Sequence, residues 1–203
     1  MLSAEALLAL TLFAFVASIT PGPNNLMLLA SGVNFGLART VPHMLGIAIG
    51  FVLMIVLVGL GFVQLFVLLP WLHPAMKVAG ILYMLWLAWR IANAGEVGSG
   101  AAPGKPFTFL QAAAFQWVNP NGWAMALTAI ATYSDPAHLL TGVLIVAAVF
   151  GVVGTPSIAV WALFGVGLRR FLSSPRTVRV FNIVMALLLV ASLWPVVADL
   201  VPA

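Results

Sequence analysis

Apolar positions follow one another along this chain in long runs, and charged residues interrupt them only at intervals. The runs are long enough for α-helices that cross a bilayer, which need about 20 residues at a rise of about 1.5 Å each. The pattern predicts six spans, over residues 4–35, 42–68, 71–91, 107–133, 139–168 and 178–200. The expected fold is an all-α polytopic membrane protein, one transmembrane domain over residues 1–203. The third span is the weakest by composition. Lys77 and Arg90 fall inside it and leave twelve uncharged residues between them. Both can snorkel to opposite interfaces, and Trp71, Trp86 and Trp89 suit the aromatic belts. The alternative is a helix lying on the membrane surface, which leaves five spans.

Two runs are broken from within by polar and helix-breaking residues. Residues 20–25 read TPGPNN in the middle of the first span, and residues 119–122 read NPNG in the fourth. Each broken span opens a group of three, with half-repeats at about 1–95 and 105–203. Two halves with an odd number of spans are inverted relative to each other. Paired interruptions in two such halves point to the binding site of a transporter. The expected architecture is therefore a 3+3 inverted repeat with broken first and fourth helices, a symmetry that five spans would destroy.

The backbone chemistry gives each break a polarity. A proline leaves the carbonyl four residues earlier without its donor. Pro21 frees that of Ala17, Pro23 that of Ile19 and Pro120 that of Gln116. Beyond each break a helix restarts, with Pro23 after Gly22 and Pro120 after Asn119 suited to its first position. The N–H groups of Asn24, Asn25, Asn121 and Gly122 are expected to face the gap and attract a carboxylate. The freed carbonyls attract a cation. The expected substrate site is thus Pro21, Gly22, Pro23, Asn24, Asn25, Asn119, Pro120 and Asn121, and its polarity fits a zwitterion. Unsatisfied backbone is tolerated at that depth only where it lines a cavity or is buried in protein. The other reading is a proline kink repaired by neighbouring helices, which is how Pro156 in the fifth span is read.

Composition narrows the class. The chain is 64% hydrophobic and 6% charged, far below the roughly 25% charged residues of a soluble domain. There are no cysteines, which removes disulfides, thiol relays and thiolate metal sites. The N-terminus lacks a positive n-region and carries Glu5, so a cleaved signal peptide is not expected. The net charge is +4, but placement says more than the sum. With six spans, Arg39, Arg90, Lys105, Arg169, Arg170, Arg176 and Arg179 fall on one side and Lys77 on the other. The positive-inside rule makes the first side cytoplasmic and puts both termini outside. With five spans Lys77 joins the majority, Arg39 stands alone and the N-terminus becomes cytoplasmic.

The stretches SITPGPNNLMLLASGVNFGLARTVPHMLGIAIGF at 18–51, FQWVNPNGWAMAL at 115–127 and GTPSIAVWALFG at 154–165 resemble the LysE/RhtB family of bacterial amino-acid exporters. The resemblance covers nearly the whole chain. It implies an inner-membrane exporter of amino acids or their derivatives, driven by the proton motive force. Within the family the sequence is most similar to the cysteine and O-acetylserine exporter type. Many relatives carry an acid just after the glycine at Gly50, where this chain has Phe51, as that exporter type also does. No carboxylate then lies inside a span, since Glu5, Glu96, Asp135 and Asp199 sit near ends or in loops. His43 is the candidate for proton coupling. The other reading makes it a histidine at the headgroup boundary, and His73 and His138 are expected at interfaces.

The remaining features carry less. Gly46 with Gly50, and Gly32 with Gly36, form small-residue faces that favour close packing within the protein, a homodimer contact being the other reading. Trp117 and Trp123 flank the second break and either wall the cavity or pack. Arg39 marks the cytoplasmic face. An intramembrane enzyme would need a nucleophile with a base, and Ser18, Ser31, Ser157 and His43 form no spaced pair. A channel remains a rival, because half-helix ends also build ion sites. The expected partners are a small amino-acid substrate and the lipid bilayer. No cofactor, metal or nucleic acid is assigned.

Overall fold

The computed structural model describes residues 2–94, 105–172 and 174–198. The last two residues of the sixth expected span, the charges of Glu96 and Asp199, and the junction between the expected half-repeats lie outside them. Every described element is a helix. In chain order they are α1 (Ala4–Ile19), α2 (Pro23–Phe35), α3 (Leu37–Leu57), α4 (Gln64–Leu68), α5 (Leu72–Ala92), α6 (Phe109–Val118), α7 (Pro120–Tyr133), α8 (Leu139–Val149), α9 (Thr155–Arg169), α10 (Pro175–Ala191) and α11 (Trp194–Ala198). Five-residue π-helical segments follow α3 at Val58–Phe62 and join α8 to α9 at Phe150–Gly154. A single 3₁₀ turn, Pro136–His138, precedes α8.

Four helical stretches are long and apolar enough to cross a membrane: Leu37–Phe62, Leu72–Ala92, Leu139–Arg169 and Pro175–Ala198. The pair α1 and α2, bent by 53° at the first break, makes a fifth when taken as one span. The expected fourth span is divided into helices of 10 and 14 residues, each shorter than a crossing. The weak third span is continuous: α5 runs 21 residues and buries Gly80, Met84, Leu87, Ala88 and Ile91. That face packs against α10 and α6, so α5 does not lie apart from the bundle. The second span begins at Leu37, five residues before its expected start, because Gly36 turns the chain at φ 76 and lets α3 start at once.

Glycines set how the helices approach. A side chain at Gly32 would run into the carbonyl of Ala162, and one at Gly165 into that of Leu29, so α2 and α9 touch backbone to backbone. Gly46 and Gly50 do the same for α3 against Phe109 and Ala113 of α6. These small faces serve packing within the chain, as expected. Gly36 does not belong to one, since it is the left-handed joint between α2 and α3, a conformation that favours glycine.

The contacts also fix helix direction. Ser18 meets Gly154 and Gly36 meets Arg169, so the first broken pair and the 150–169 stretch run the same way. Gly46 meets Phe109 and Gly122 meets Met54, so α3 runs parallel to the α6–α7 pair. Gly80 meets Val118, the Tyr83 hydroxyl donates to the Gln111 carbonyl and Arg90 donates to the Lys105 carbonyl, so α5 and α6 are antiparallel. One end of the bundle therefore gathers the end of α2, the start of α3, the end of α5, the start of α6, the end of α9 and the start of α10. Seven of the eight lysines and arginines are at that end, and Lys77 is the exception.

Candidate functional site

At the first break α1 stops at Thr20, whose N–H and hydroxyl both donate to the Val16 carbonyl, at 3.0 and 2.6 Å. The chain is extended through Gly22, and α2 restarts with Pro23 in its first turn. The Leu26 N–H donates to the Gly22 carbonyl. The N–H groups of Asn24 and Asn25 are left without acceptors among the described residues, as the proline pattern predicts. The freed carbonyls behave differently from the expectation. The indole of Trp161 on α9 donates to Ile19 O at 3.0 Å. The Asn25 amide donates to Ser18 O at 2.9 Å and to Thr20 O at 2.7 Å. Ala17 O, whose helical donor Pro21 cannot supply, receives nothing among the described residues.

The second break is tighter. Asn119 is the sole non-helical residue between α6 and α7, and its N–H donates back to the Gln116 carbonyl freed by Pro120. Its side-chain oxygen accepts from the Asn121 N–H at 3.2 Å, and its carbonyl from the Trp123 N–H. Asn121 therefore does not present a free N–H to the gap. Gly122 alone does.

The two breaks meet. Asn24 Nδ2 donates to Gln116 Oε1 at 2.9 Å, and Gln116 Nε2 returns the bond to Asn24 Oδ1 at 3.1 Å. Gln116 is fully buried and also donates to the Ala112 carbonyl. Asn121 Nδ2 lies 3.2 Å from where a side chain on Gly22 would begin. Around this junction is a cavity of about 100 Å³ lined by residues of both breaks. All the expected site residues except Pro120 line it. Its apolar walls include Ile47, Phe51, Phe150 and Ile158, and no charged side chain lines it. Phe51, where the resemblance leads one to look for an acid, stands edge-on to Phe150 at 5.3 Å. Asn25, 4% exposed, keeps its side-chain oxygen unpaired. An acceptor oxygen, a free carbonyl and three helix-start N–H groups thus surround a small uncharged space. Such a set can take an ammonium and a carboxylate at once.

Pro120, Trp117 and Trp123 turn elsewhere. They line a separate, larger cavity of about 340 Å³ with Phe66, His73 and Lys77. The Trp123 indole donates to the Trp117 carbonyl at 2.8 Å, which fixes its ring away from the break cavity. The tryptophans flank the break in sequence, but one helical turn rotates them to the other face. His43 does not face outward from the bundle. It is fully buried, its ring stands against Phe107 at 5.2 Å, and neither ring nitrogen has a partner among the described residues. It does not line the break cavity.

Sequence reasoning passed over Gln116 as a side chain, attending only to its carbonyl. An uncompensated glutamine inside an apolar span was the available signal. Trp161 as a donor to Ile19 had no local signal, because 142 residues separate them.

Residues 15–192 match the family described as LysE type translocator. Proteins named cysteine/O-acetylserine efflux protein from Escherichia coli strain K12, Escherichia coli O1:K1 and Shigella flexneri serotype 5b are each 32% identical to the chain over 180 residues. Those residues cover 88% of this chain and 90% of each relative. No solved structure matches.

Proposed function

This chain belongs to the LysE type translocator family and is a transporter, not an enzyme, and we propose that it exports small neutral amino acids of the cysteine and O-acetylserine kind across the bacterial inner membrane. The observation that carries this reading is the amide pair between Asn24 and Gln116, which joins the two breaks beside an uncharged cavity. The substrate carboxylate sits on the N–H groups of Asn24 and Asn25. Its ammonium faces Asn25 Oδ1 and the Ala17 carbonyl. A cationic or anionic side chain would have to be desolvated against Ile47, Phe51, Phe150 and Ile158 with no partner, so neutral substrates are favoured.

The chain crosses six times as two inverted halves, with the arginine-rich end cytoplasmic. Three packing pairs support this: α2 with α9, α3 with α6, and α5 with α10. Exchanging the halves carries the first span–fifth span pair onto the fourth span–second span pair, and the third–sixth pair onto itself. The exchange is inexact at half-span resolution, since the first span packs through its second half and the fourth through its first. An inverted repeat caught in one of two alternating states has that property. Transport is coupled to protons through His43, which is the one fully buried titratable side chain among the described residues. Its ring stands against Phe107, and the neighbouring charge is Arg90 on α5.

Counterflow tests the reading. Purified protein in vesicles loaded with unlabelled O-acetylserine should draw in labelled O-acetylserine transiently above equilibrium. Unlabelled cysteine should replace the load, and lysine or glutamate should not. Simple equilibration without overshoot would make it a channel, and equal exchange of lysine would overturn the neutral-substrate assignment.

A further inference from the structure

A second polar cavity, of about 160 Å³, lies at the arginine-rich end between α2, the end of α5 and the stretch leading into α6. It shares no lining residue with the break cavity. The two are nevertheless strung along one helix face. Asn24 lines the break cavity, while Met27, Ser31 and Asn34, at three- and four-residue spacing, line the second. Met27, 2% exposed, stands between them, and a thioether is the most easily rearranged of apolar plugs.

The cation in this cavity is held in an unusual way. A solitary arginine at a membrane boundary ordinarily snorkels and leaves its head in water. Arg90 is instead clamped between Trp86 and Phe107, with its guanidinium carbon 5.1 and 4.6 Å from their ring centres. Its Nη2 donates to the Lys105 carbonyl and its Nη1 to Gln111 Oε1 at 3.5 Å. A guanidinium has five N–H donors, so among the described residues the fork keeps donors to spare. Lys105 lines the same cavity. Behind it Asn34 and Asn182 exchange amide hydrogen bonds at 2.7 and 3.0 Å, and Asn182 donates to the Ala94 carbonyl. Asn182 is fully buried, so the wall is fixed and polar where an apolar pair would pack as well.

We propose that this cavity is an inner capture site, in which Arg90 and Lys105 take the carboxylate of an amino acid arriving from the arginine-rich side before it passes Met27 to the break. The inference rests on the exporter reading above. The same donors would also accept the phosphate of an anionic lipid headgroup, so the vesicles for the test are made of phosphatidylcholine alone and then of phosphatidylcholine with phosphatidylglycerol.

The full chain is reconstituted, and the concentration dependence of O-acetylserine exchange is measured separately at its two faces. Arg90→Gln should raise the half-saturating concentration at the arginine-rich face about tenfold, the change that loss of one charge-assisted hydrogen bond carries. The value at the opposite face should stay as in the unaltered protein, and Arg90→Lys should recover part of the loss. A purely structural arginine would move both faces together or lower the maximal rate alone, and either result overturns the proposal. An effect that appears only with phosphatidylglycerol assigns the cavity to lipid and also overturns it. Should Arg90→Gln not reach the membrane, the exposed Lys105→Gln decides: a rise of about threefold at the one face supports capture, and no change refutes it. Absence of amino-acid exchange by the unaltered protein at either face is a different result, which sinks the exporter reading itself.

Discussion

Gln116 is the side chain that joins the two breaks, and its amide makes three hydrogen bonds from a fully buried position. It holds Asn24 by two hydrogen bonds and the Ala112 carbonyl by a third. Gln116→Leu would strand the Asn24 amide beside the cavity, at a cost of about 1–3 kcal/mol for a buried polar group left unpaired. We expect export to fall at least about tenfold while protein still reaches the membrane, measured as counterflow per mole of reconstituted protein. Unchanged counterflow would remove Gln116 from the site. A second residue-scale expectation concerns pH. The Ala137 N–H and then the His138 ring hold the Asp135 carboxyl below the usual aspartate value. A depressed folded value gives stability that is present above the ordinary aspartate range and lost as pH falls through the lowered one. Unfolding temperature in detergent should therefore drop on acidification below about pH 4, and Asp135→Asn should flatten part of that drop by lowering the neutral value toward the acid one. At this scale the asparagines were legible because amides in an apolar run have few structural uses. The orientation of Trp117 and Trp123 was not, because sequence neighbours one helical position apart point to different faces.

The breaks are elements in their own right, made by deletion of donors. Replacing Pro21 and Pro23 together by alanine restores two backbone donors and removes penalties of about 3 kcal/mol each where the helix can close. The variant should accumulate at least as well as the parent and lose export, scored as protection of cells challenged with excess cysteine. Full protection would reduce the break to a kink. Helix pairing makes a separate prediction. Gly32→Ala places a methyl group against the Ala162 carbonyl, so α2 and α9 must separate, an overpacking cost of about 1–3 kcal/mol. Gly167→Ala, which meets nothing within 4 Å, should stay within about 0.5 kcal/mol of the parent. Thermal unfolding of the two variants in the same detergent checks the contrast. The positions of both breaks and the close-packing role of Gly46 and Gly50 could be read from residue type. The fate of the freed carbonyls could not, because their donors come from distant spans or from the amide of a residue read only as a helix start.

At the scale of the whole molecule, hydropathy located the helices and left their number of crossings to one weak segment. The structure makes α5 a continuous helix packed on the bundle, long and apolar enough to cross a membrane. The two π-helical segments had no signal in the apolar pattern, because a π-turn changes register without changing composition. The six-crossing arrangement predicts that Lys77 and Arg90, at opposite ends of α5, face opposite compartments. The chain has no cysteine, so Lys77→Cys and Arg90→Cys each introduce the sole thiol. An impermeant maleimide applied to intact spheroplasts should label the first and not the second. Labelling of both from one side would end the inverted-repeat reading.

The bond from Trp161 to the Ile19 carbonyl has a mechanical consequence. Pro23 has permanently removed the donor that Ile19 would use in a straight helix, so that oxygen depends on the indole in whatever state it is shielded from water. The end of α1 is in effect moored to α9. If the first span moves in the proposed transport cycle, this bond makes the movement a swing about a fixed berth rather than a withdrawal. Cutting the mooring with Trp161→Phe should let the span drift, giving a protein that leaks in both directions before it stops transporting in one.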